Sequence, residues 1–275
     1  MEQIVPIFLD ESNVNFITIP SPETEILPGV QWGKVEFFYS PAYWYYQVLS
    51  KKNNNSSTNH KLGGTFLEEV CACLLGGYGI PAYVGLAAFN FLKSKKIFSN
   101  NNVSEEEIFN FLSQPLNING KKIKYRFAKQ KSRYIINAIR FLKDHEPPFN
   151  TGKELRDWLL QMSGIGYKTA SWIARNWLNA NDVAILDIHI LRAGQFANFL
   201  DKQLSVQKDY LTLENQFLEF ANALGVNAYE LDAVIWYDMM LTTNIFKKIQ
   251  EANFALSGKG TTNNSHSNPK QIKLI

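Results

Sequence analysis

The 275-residue sequence contains only two cysteines, Cys71 and Cys73, which form a single C-x-C pair. Two cysteines can build neither a disulfide framework nor a four-cysteine metal site. Both lie within an apolar helical pattern, so we expect them to be buried packing residues, as free cysteines usually are.

Long apolar runs are also missing, because no stretch approaches the ~20 residues needed to cross a bilayer. The N-terminal MEQIVPIFLDESN lacks the basic start and the long apolar block of a signal peptide. The expectation is a cytoplasmic protein, nucleoid-associated if prokaryotic, with no membrane partner.

The formal net charge of +3 is too small to indicate a polyanion partner, but the distribution of charge is informative. The segment KKIKYRFAKQKSR (121–133) carries seven basic residues and no acidic one, with Tyr125 and Phe127 interleaved. This pattern fits a strip that contacts a nucleic-acid backbone. It is equally typical of a solvated basic loop that leads into a helix, and both interpretations stay open.

The chain is predicted to be mostly α, with a small N-terminal β element. NFITI and GKVEFFY, both within the first ~40 residues, could pair as strands, and strand signals are confined to that region. Elsewhere, apolar residues follow the helical period and capping residues precede them. The predicted helix starts are Ser40 before Pro41 and the capping-box pairs Thr65 with Glu68, Ser104 with Glu107, and Thr151 with Glu154.

A helical hairpin is predicted in ELRDWLLQM-SGIG-YKTASWIARNWL, where a tight glycine turn joins two helices. Gly164 and Gly166 allow positive φ and close approach of the backbone to a ligand. The amide N–H groups there and at the start of the second helix suit an anion such as phosphate. Taken alone the turn is weak evidence, because many helical hairpins turn on glycine.

Lys168 lies in the first turn of the second helix of this hairpin. The positive end of the helix dipole disfavours an ammonium there, which favours the neutral amine that a lysine nucleophile requires. The alternative is a solvated lysine that merely begins a helix. The helical period puts Lys168 on a surface face with Ser171, Trp172 and Arg175, opposite the apolar Ala170, Ile173, Ala174 and Trp177.

Asp187 follows the apolar VAIL and is the predicted N-cap of the helix DIHILRAGQFANFL. An N-cap carboxylate is rigid and is kept ionised by backbone donors, so it suits catalysis, but it can equally be purely structural. His189 is more typical of a packed, hydrogen-bonded residue than of a metal ligand, because no other ligand clusters beside it at suitable spacing.

Two motifs together resemble a known family. GIGYK and ILDIHILR resemble the helix-hairpin-helix DNA glycosylases of the endonuclease III superfamily, and the lysine-bearing 8-oxoguanine DNA glycosylase/AP lyases fit best. LGVNAYELDAVIWY is similar to the C-terminal helix of the smaller prokaryotic 8-oxoguanine glycosylases. The resemblance covers roughly residues 63 to 248.

The resemblance implies a two-lobed fold with the active site between the lobes. Residues 1–66 would pack with 186–256 as one lobe, 67–185 would form a helical barrel lobe carrying the hairpin, and 257–275 would be a flexible tail. It also implies a monomer that needs no cofactor, although a monovalent cation can be held at the hairpin. The iron–sulfur cluster of endonuclease III is absent, because only two cysteines exist.

The activity implied is base excision repair of an oxidised purine in double-stranded DNA, with 8-oxoguanine as the leading substrate. The damaged base is flipped into a pocket, Lys168 attacks C1′ and forms a Schiff base, and β-elimination nicks the strand. Asp187 would stabilise positive charge on the sugar or help to deprotonate Lys168. DNA contacts are expected from Gly164, Gly166, Tyr78, Lys129, Lys131 and Arg133, and the base pocket from Asp232 and Trp236.

Alternatives remain at this stage. Trp236 could be a core residue, the substrate could be another modified base such as one marking foreign DNA, and the hairpin could belong to a non-catalytic DNA-binding protein. Relatives often have proline where this chain has Ser163. Many also place Asn or Gln in the loop after the first barrel helix, where this chain reads GGYGIPA with only Tyr78 large. The opposite-base preference is therefore open.

Overall fold

A computed structural model describes residues 1–8, 13–53, 61–77, 79–100 and 102–242. Tyr78 and the predicted tail 257–275 lie outside these ranges. Within them, no helix combines the length and the apolar character needed to span a membrane.

The described residues are mostly helical, as predicted, and they carry short strand pairs. The strands are β1 (Gln3–Phe8), β2 (Val14–Ile19), β3 (Glu25–Leu27), β4 (Val30–Gln31), β5 (Leu116–Ile118) and β6 (Lys121–Ile123). The helices are α1 (Pro41–Asn53), α2 (Phe66–Leu75), α3 (Ala82–Ser94), α4 (Glu105–Ser113), α5 (Ala128–Asp144), α6 (Gly152–Leu159), α7 (Tyr167–Leu178), α8 (Ile188–Phe196), α9 (Tyr210–Leu224) and α10 (Ala228–Leu241), with a short 3₁₀ helix at Ile97–Ser99.

The chain divides into two compact units, the first discontinuous (Met1–Thr58 with Leu186–Ile275) and the second Asn59–Ile185. Residues 61–66, which the sequence grouped with the N-terminal segment, belong to the second unit. The reason is local, since the Leu62 and Gly63 amides donate to the carboxylate of Glu69 in α2, at 2.6 and 2.9 Å.

The N-terminal β element is present, but its strand pairing differs from the prediction. NFITI lies in β2, which pairs antiparallel with β1, with Gln3 opposite Ile19 and Phe8 opposite Val14. GKVEFFY forms none of the strands, because Gly33 and Tyr39 adopt φ of 64° and 74° and interrupt an extended backbone. Tyr39 is buried instead, with its ring 4.9 Å from that of Phe196 in α8.

Strands are also not confined to the first ~40 residues. β5 and β6 form a hairpin whose turn is Asn119–Gly120, both at positive φ (51° and 78°). Asn-Gly is the dipeptide that favours a two-residue hairpin turn, so the signal was present in the sequence.

The predicted helix starts are confirmed. The side chains of Ser40, Thr65, Ser104 and Thr151 accept hydrogen bonds from the amides of Tyr43, Glu68, Glu107 and Glu154, at 3.0–3.2 Å. Each bond satisfies an amide that the helix itself leaves unpaired. These caps fix where the four helices begin.

Helix α2 lies at the centre of the second unit and packs against α3, α5 and α7. One apolar cluster on it includes Leu75, Phe89 and Ile135, and a second includes Leu74, Leu159 and Ile173. Cys71 and Cys73 are free and buried, as expected, and burial raises the pKa of both thiols well above the usual range. Neither thiol is therefore a nucleophile at neutral pH.

Candidate functional site

The predicted glycine turn joins α6 to α7, and Gly164 is essential to its shape. Gly164 has φ +87°, and a Cβ built on it would lie 2.3 Å from Cδ2 of Tyr134 in α5. Gly166 differs from the expectation of positive φ, because it is extended (φ −104°, ψ 179°) and is the N-cap of α7. No atom lies within 4 Å of a Cβ built on Gly166, so its outer side is open.

The backbone of this turn presents hydrogen-bond donors to solvent. Gly164 and Gly166 are exposed, and neither amide donates to any residue that the structure describes. Gly166 has no side chain to cap α7, so the positive end of the helix dipole is not covered by a capping oxygen. The turn therefore has the chemistry of an anion-binding site.

Lys168 is the second residue of α7 and is half-buried. Two residues predicted to share the exposed side of α7 with Lys168 are buried: Ser171 is 0% exposed and Arg175 is 8% exposed. Trp172, half-buried, lies against the chain after α2, where a Cβ on Gly76 would come within 3.3 Å of the indole. Tyr167, in the first turn, is the one exposed residue of α7, and Ala170, Ile173 and Ala174 pack in the apolar core of the second unit.

A buried hydrogen bond that the sequence did not reveal also holds α7. Asn176 Nδ2 donates to Glu69 Oε1 at 2.7 Å, and both residues are essentially unexposed. Apolar packing is non-directional, whereas a buried hydrogen bond fixes one arrangement. The only signal in the sequence is a carboxylate directly beside the core position Val70 of α2.

Asp187 is the N-cap of α8, as predicted. Its Oδ1 accepts from the amides of His189 at 2.8 Å and Ile190 at 3.1 Å, and the residue is 8% exposed. Lys168 belongs to the second unit, and Asp187 follows the point at which the chain enters the first unit again, between Ile185 and Leu186. No group of three or more His, Cys, Asp or Glu side chains within the described ranges could hold a metal ion.

Comparison with known proteins decides the family. Residues 50–226 match the Ogg-HhH family model, described as 8-oxoguanine DNA glycosylase. The chain belongs to this family. The match includes the hairpin, Lys168 and Asp187, and the family resemblance drawn from the sequence motifs is confirmed.

Curated relatives of this chain are named 8-oxoguanine DNA glycosylase/AP lyase. The 8-oxoguanine DNA glycosylase/AP lyase of Methanocaldococcus jannaschii is 32% identical over 194 residues, covering 66% of this chain and 83% of the relative. That of Saccharolobus solfataricus is 35% identical over 184 residues, covering 62% and 81%. Among solved structures, the M. jannaschii glycosylase/lyase in complex with 15mer DNA containing 8-oxoguanine is 30% identical, covers 71% of this chain and 86% of that chain, and has a TM-score of 0.49.

The two predicted base-pocket residues lie on α10, beyond the end of the family match. Asp232 is 2% exposed and Trp236 is half-buried. Met239 and Met240, further along the same helix, lie in different environments, because Met239 is buried and Met240 is 39% exposed. The opposite face of α10 is buried at Leu231, Val234 and Ile235, whereas Tyr237 and Leu241 near its C-terminal end are exposed.

The basic segment 121–133 divides into exposed and structural parts. Tyr125 is not part of a DNA-facing strip, since it is 1% exposed and its hydroxyl donates to the Leu75 carbonyl at 2.6 Å. Lys131 is half-buried and donates to the Gly76 carbonyl at 3.1 Å, and burial lowers the pKa of its amine. These donors satisfy carbonyls at the C-terminal end of α2, which a helix leaves unpaired. The exposed basic residues are Lys121, Lys122, Lys124, Arg126, Lys129 and Arg133.

The loop after α2 is shaped by glycines on both sides of position 78. Gly77 and Gly79 adopt φ of +106° and +76°, conformations that other residues rarely adopt. Lys131 and Tyr125 hold the chain just before this loop, at the Gly76 and Leu75 carbonyls. The predicted DNA contact Tyr78 itself is outside the described residues.

Lys131 and Lys129 are expected to respond differently to the same substitution. Lys131→Met removes the donor to the Gly76 carbonyl and should lower the free energy of unfolding by about 1–2 kcal/mol. Lys129→Met removes an exposed charge and should reduce the slope of log Kd against log salt concentration by about 1 if it contacts a phosphate. Urea unfolding and fluorescence anisotropy with duplex DNA measure the two quantities. A slope change as large for Lys131→Met as for Lys129→Met would contradict the structural role.

Proposed function

We propose that this member of the family excises 8-oxoguanine from duplex DNA and then cleaves the strand at the abasic site. The observation that carries the proposal is a lysine in the first turn of α7, directly after an exposed glycine turn, in a chain of the 8-oxoguanine DNA glycosylase family. The names of the relatives support both halves of the activity. Double-stranded DNA is then the partner, and a single copy of the chain binds it. The protein acts in the cellular compartment that contains the DNA.

The hairpin would hold a phosphate of the damaged strand. The Gly164 and Gly166 amides are exposed and donate to no described residue, and the N-terminus of α7 favours negative charge. Lys129 on α5 is an exposed charge that would neutralise a neighbouring phosphate. Arg133 would do the same by leaving its weak, exposed ion pair with Glu105, whose Oε1 is 3.8 Å from Arg133 Nε. A phosphate bound at the turn brings its sugar close to Lys168, because only one residue separates that lysine from Gly166.

Lys168 would be the nucleophile. Its neutral Nζ attacks C1′ of the damaged nucleotide, the N-glycosidic bond breaks, and the base leaves with the bonding electron pair and takes up a proton. The attached nitrogen then loses one proton, and the C1′–O4′ bond breaks as the ring oxygen takes up a proton, which leaves a protonated Schiff base between Nζ and C1′. Removal of a C2′ proton expels the 3′ phosphate by β-elimination, and water releases Lys168. These steps need no organic cofactor, and a monovalent cation at the hairpin would act only on the phosphate.

Asp187 would stabilise the positive charge that develops on the sugar, or accept a proton from Lys168. The two amides that bind Oδ1 hold the carboxylate in one orientation. Stabilisation of developing charge requires such a fixed group.

In the same proposal, Trp236 stacks on the flipped base and Asp232 accepts a base N–H.

Borohydride trapping tests this function. Wild-type protein is incubated with labelled duplexes that contain 8-oxoguanine, another modified base or a bare abasic site. A covalent adduct with the 8-oxoguanine duplex is the expected result. An adduct at abasic sites alone would support the lyase activity and show that the base excised is not 8-oxoguanine. The absence of an adduct with every duplex would contradict the enzyme function and indicate a non-catalytic DNA-binding protein.

A further inference from the structure

Tyr134 of α5 lies directly against the hairpin turn. A Cβ built on Gly164 would be 2.3, 2.5 and 2.6 Å from Cδ2, Cγ and Cε2 of its ring, so the ring occupies the space that any larger residue at 164 would need. Tyr134 also packs on the apolar cluster that holds α6 and α7 together. The ring is therefore a fixed neighbour of the turn.

The hydroxyl of Tyr134 is available as a donor. Gln130 Nε2, one helical turn earlier on α5, donates to the hydroxyl oxygen at 2.9 Å. No described residue accepts the hydroxyl hydrogen. Gln130 is exposed, and so are the adjacent Lys129 and Arg133, so this side of α5 is open to solvent. Arg133 Nε lies 3.8 Å from Glu105 Oε1 in an exposed ion pair, which is weak enough to exchange for a phosphate, and Lys129 adds a second positive charge.

We propose that the Tyr134 hydroxyl donates a hydrogen bond to the DNA phosphate backbone beside the hairpin, and so extends the anion site formed by the Gly164 and Gly166 amides. The inference rests on the proposed function, because it takes a phosphate to be bound at the turn. A phosphate oxygen is a strong acceptor, and neutral hydroxyls commonly position DNA backbones in this way. Gln130 donates to the hydroxyl oxygen at 2.9 Å, and this bond leaves the hydroxyl hydrogen for an acceptor such as phosphate.

Tyr134→Phe isolates the hydroxyl, because it keeps the ring on Gly164 and removes one atom. We expect the Kd for duplex DNA to rise about five- to tenfold. The slope of log Kd against log salt should stay the same, since a neutral donor releases no counterion. Fluorescence anisotropy across a salt series, with thermal unfolding of the same samples, gives both quantities.

Tyr125→Phe is the matched control. It deletes the same atom from a tyrosine that lies just before α5, but that hydroxyl is buried and bonded to the Leu75 carbonyl. We expect Tyr125→Phe to lower Tm while the Kd stays at the wild-type value, the reverse of Tyr134→Phe. A rise in Kd that is equal for both variants would overturn the inference, because it would reflect loss of stability.

Two outcomes distinguish failure of the Tyr134 phosphate contact from failure of the proposed function. If wild-type protein binds and traps damaged duplex and Tyr134→Phe binds with the same Kd, the hydroxyl does not contact DNA. If wild-type protein neither binds nor traps any duplex, the proposed function is lost first, and the phosphate contact is lost with it.

Discussion

Lys168→Gln is expected to abolish borohydride trapping and to lower the single-turnover rate of base excision on the order of 10³-fold or more. Glutamine has a similar length but no amine, so it can form neither the bond to C1′ nor a Schiff base. Because the hairpin amides and the exposed basic residues of α5 remain, the Kd for the duplex should change little. Excision and binding are measured on the same 8-oxoguanine duplex.

Lys153→Gln is the matched control for this experiment. Lys153 is an exposed lysine of α6 in the same unit, outside every contact proposed for DNA. The Lys153→Gln protein should trap and excise like the wild type. That result would show that the loss of one positive charge does not explain the inactivity of Lys168→Gln. Adduct formation by Lys168→Gln at the wild-type rate would place the nucleophile elsewhere and leave Lys168 as a residue that merely begins α7.

Asp187→Asn is expected to lower the excision rate by about 10²–10⁴-fold with almost no loss of stability. Asparagine is as good an N-cap as aspartate, and its Oδ1 can keep the bonds to the His189 and Ile190 amides. The substitution therefore removes the negative charge and retains the cap. Single-turnover kinetics at saturating protein and urea unfolding measure the two effects.

Asp187→Ala separates the capping role of Asp187 from its charge. It removes both, so it should lose the same activity as Asp187→Asn and a further ~1 kcal/mol of stability. A fully active Asp187→Asn protein would show that the carboxylate is purely structural, which is the alternative that the sequence leaves open.

The sequence by itself determined the features that depend on neighbouring residues. The side-chain caps of α1, α2, α4 and α6, the N-cap at Asp187 and the turn at Gly164 each require only groups within a few positions of one another. The two motifs around Lys168 and Asp187 were sufficient to indicate the family, because the hairpin and the cap are local structures.

Tertiary structure alone decided the features that join distant segments. The Asn176–Glu69 bond spans 107 positions, and the Lys131–Gly76 bond spans 55. The sequence pattern placed Tyr125 and Lys131 in either a DNA-contacting strip or a solvated loop, because it registers only basic and aromatic residues. The fold instead uses both side chains to satisfy carbonyls at the end of α2. The contact of Tyr134 with Gly164 is of the same kind, since no local pattern specifies which side chain fills the space that a glycine leaves.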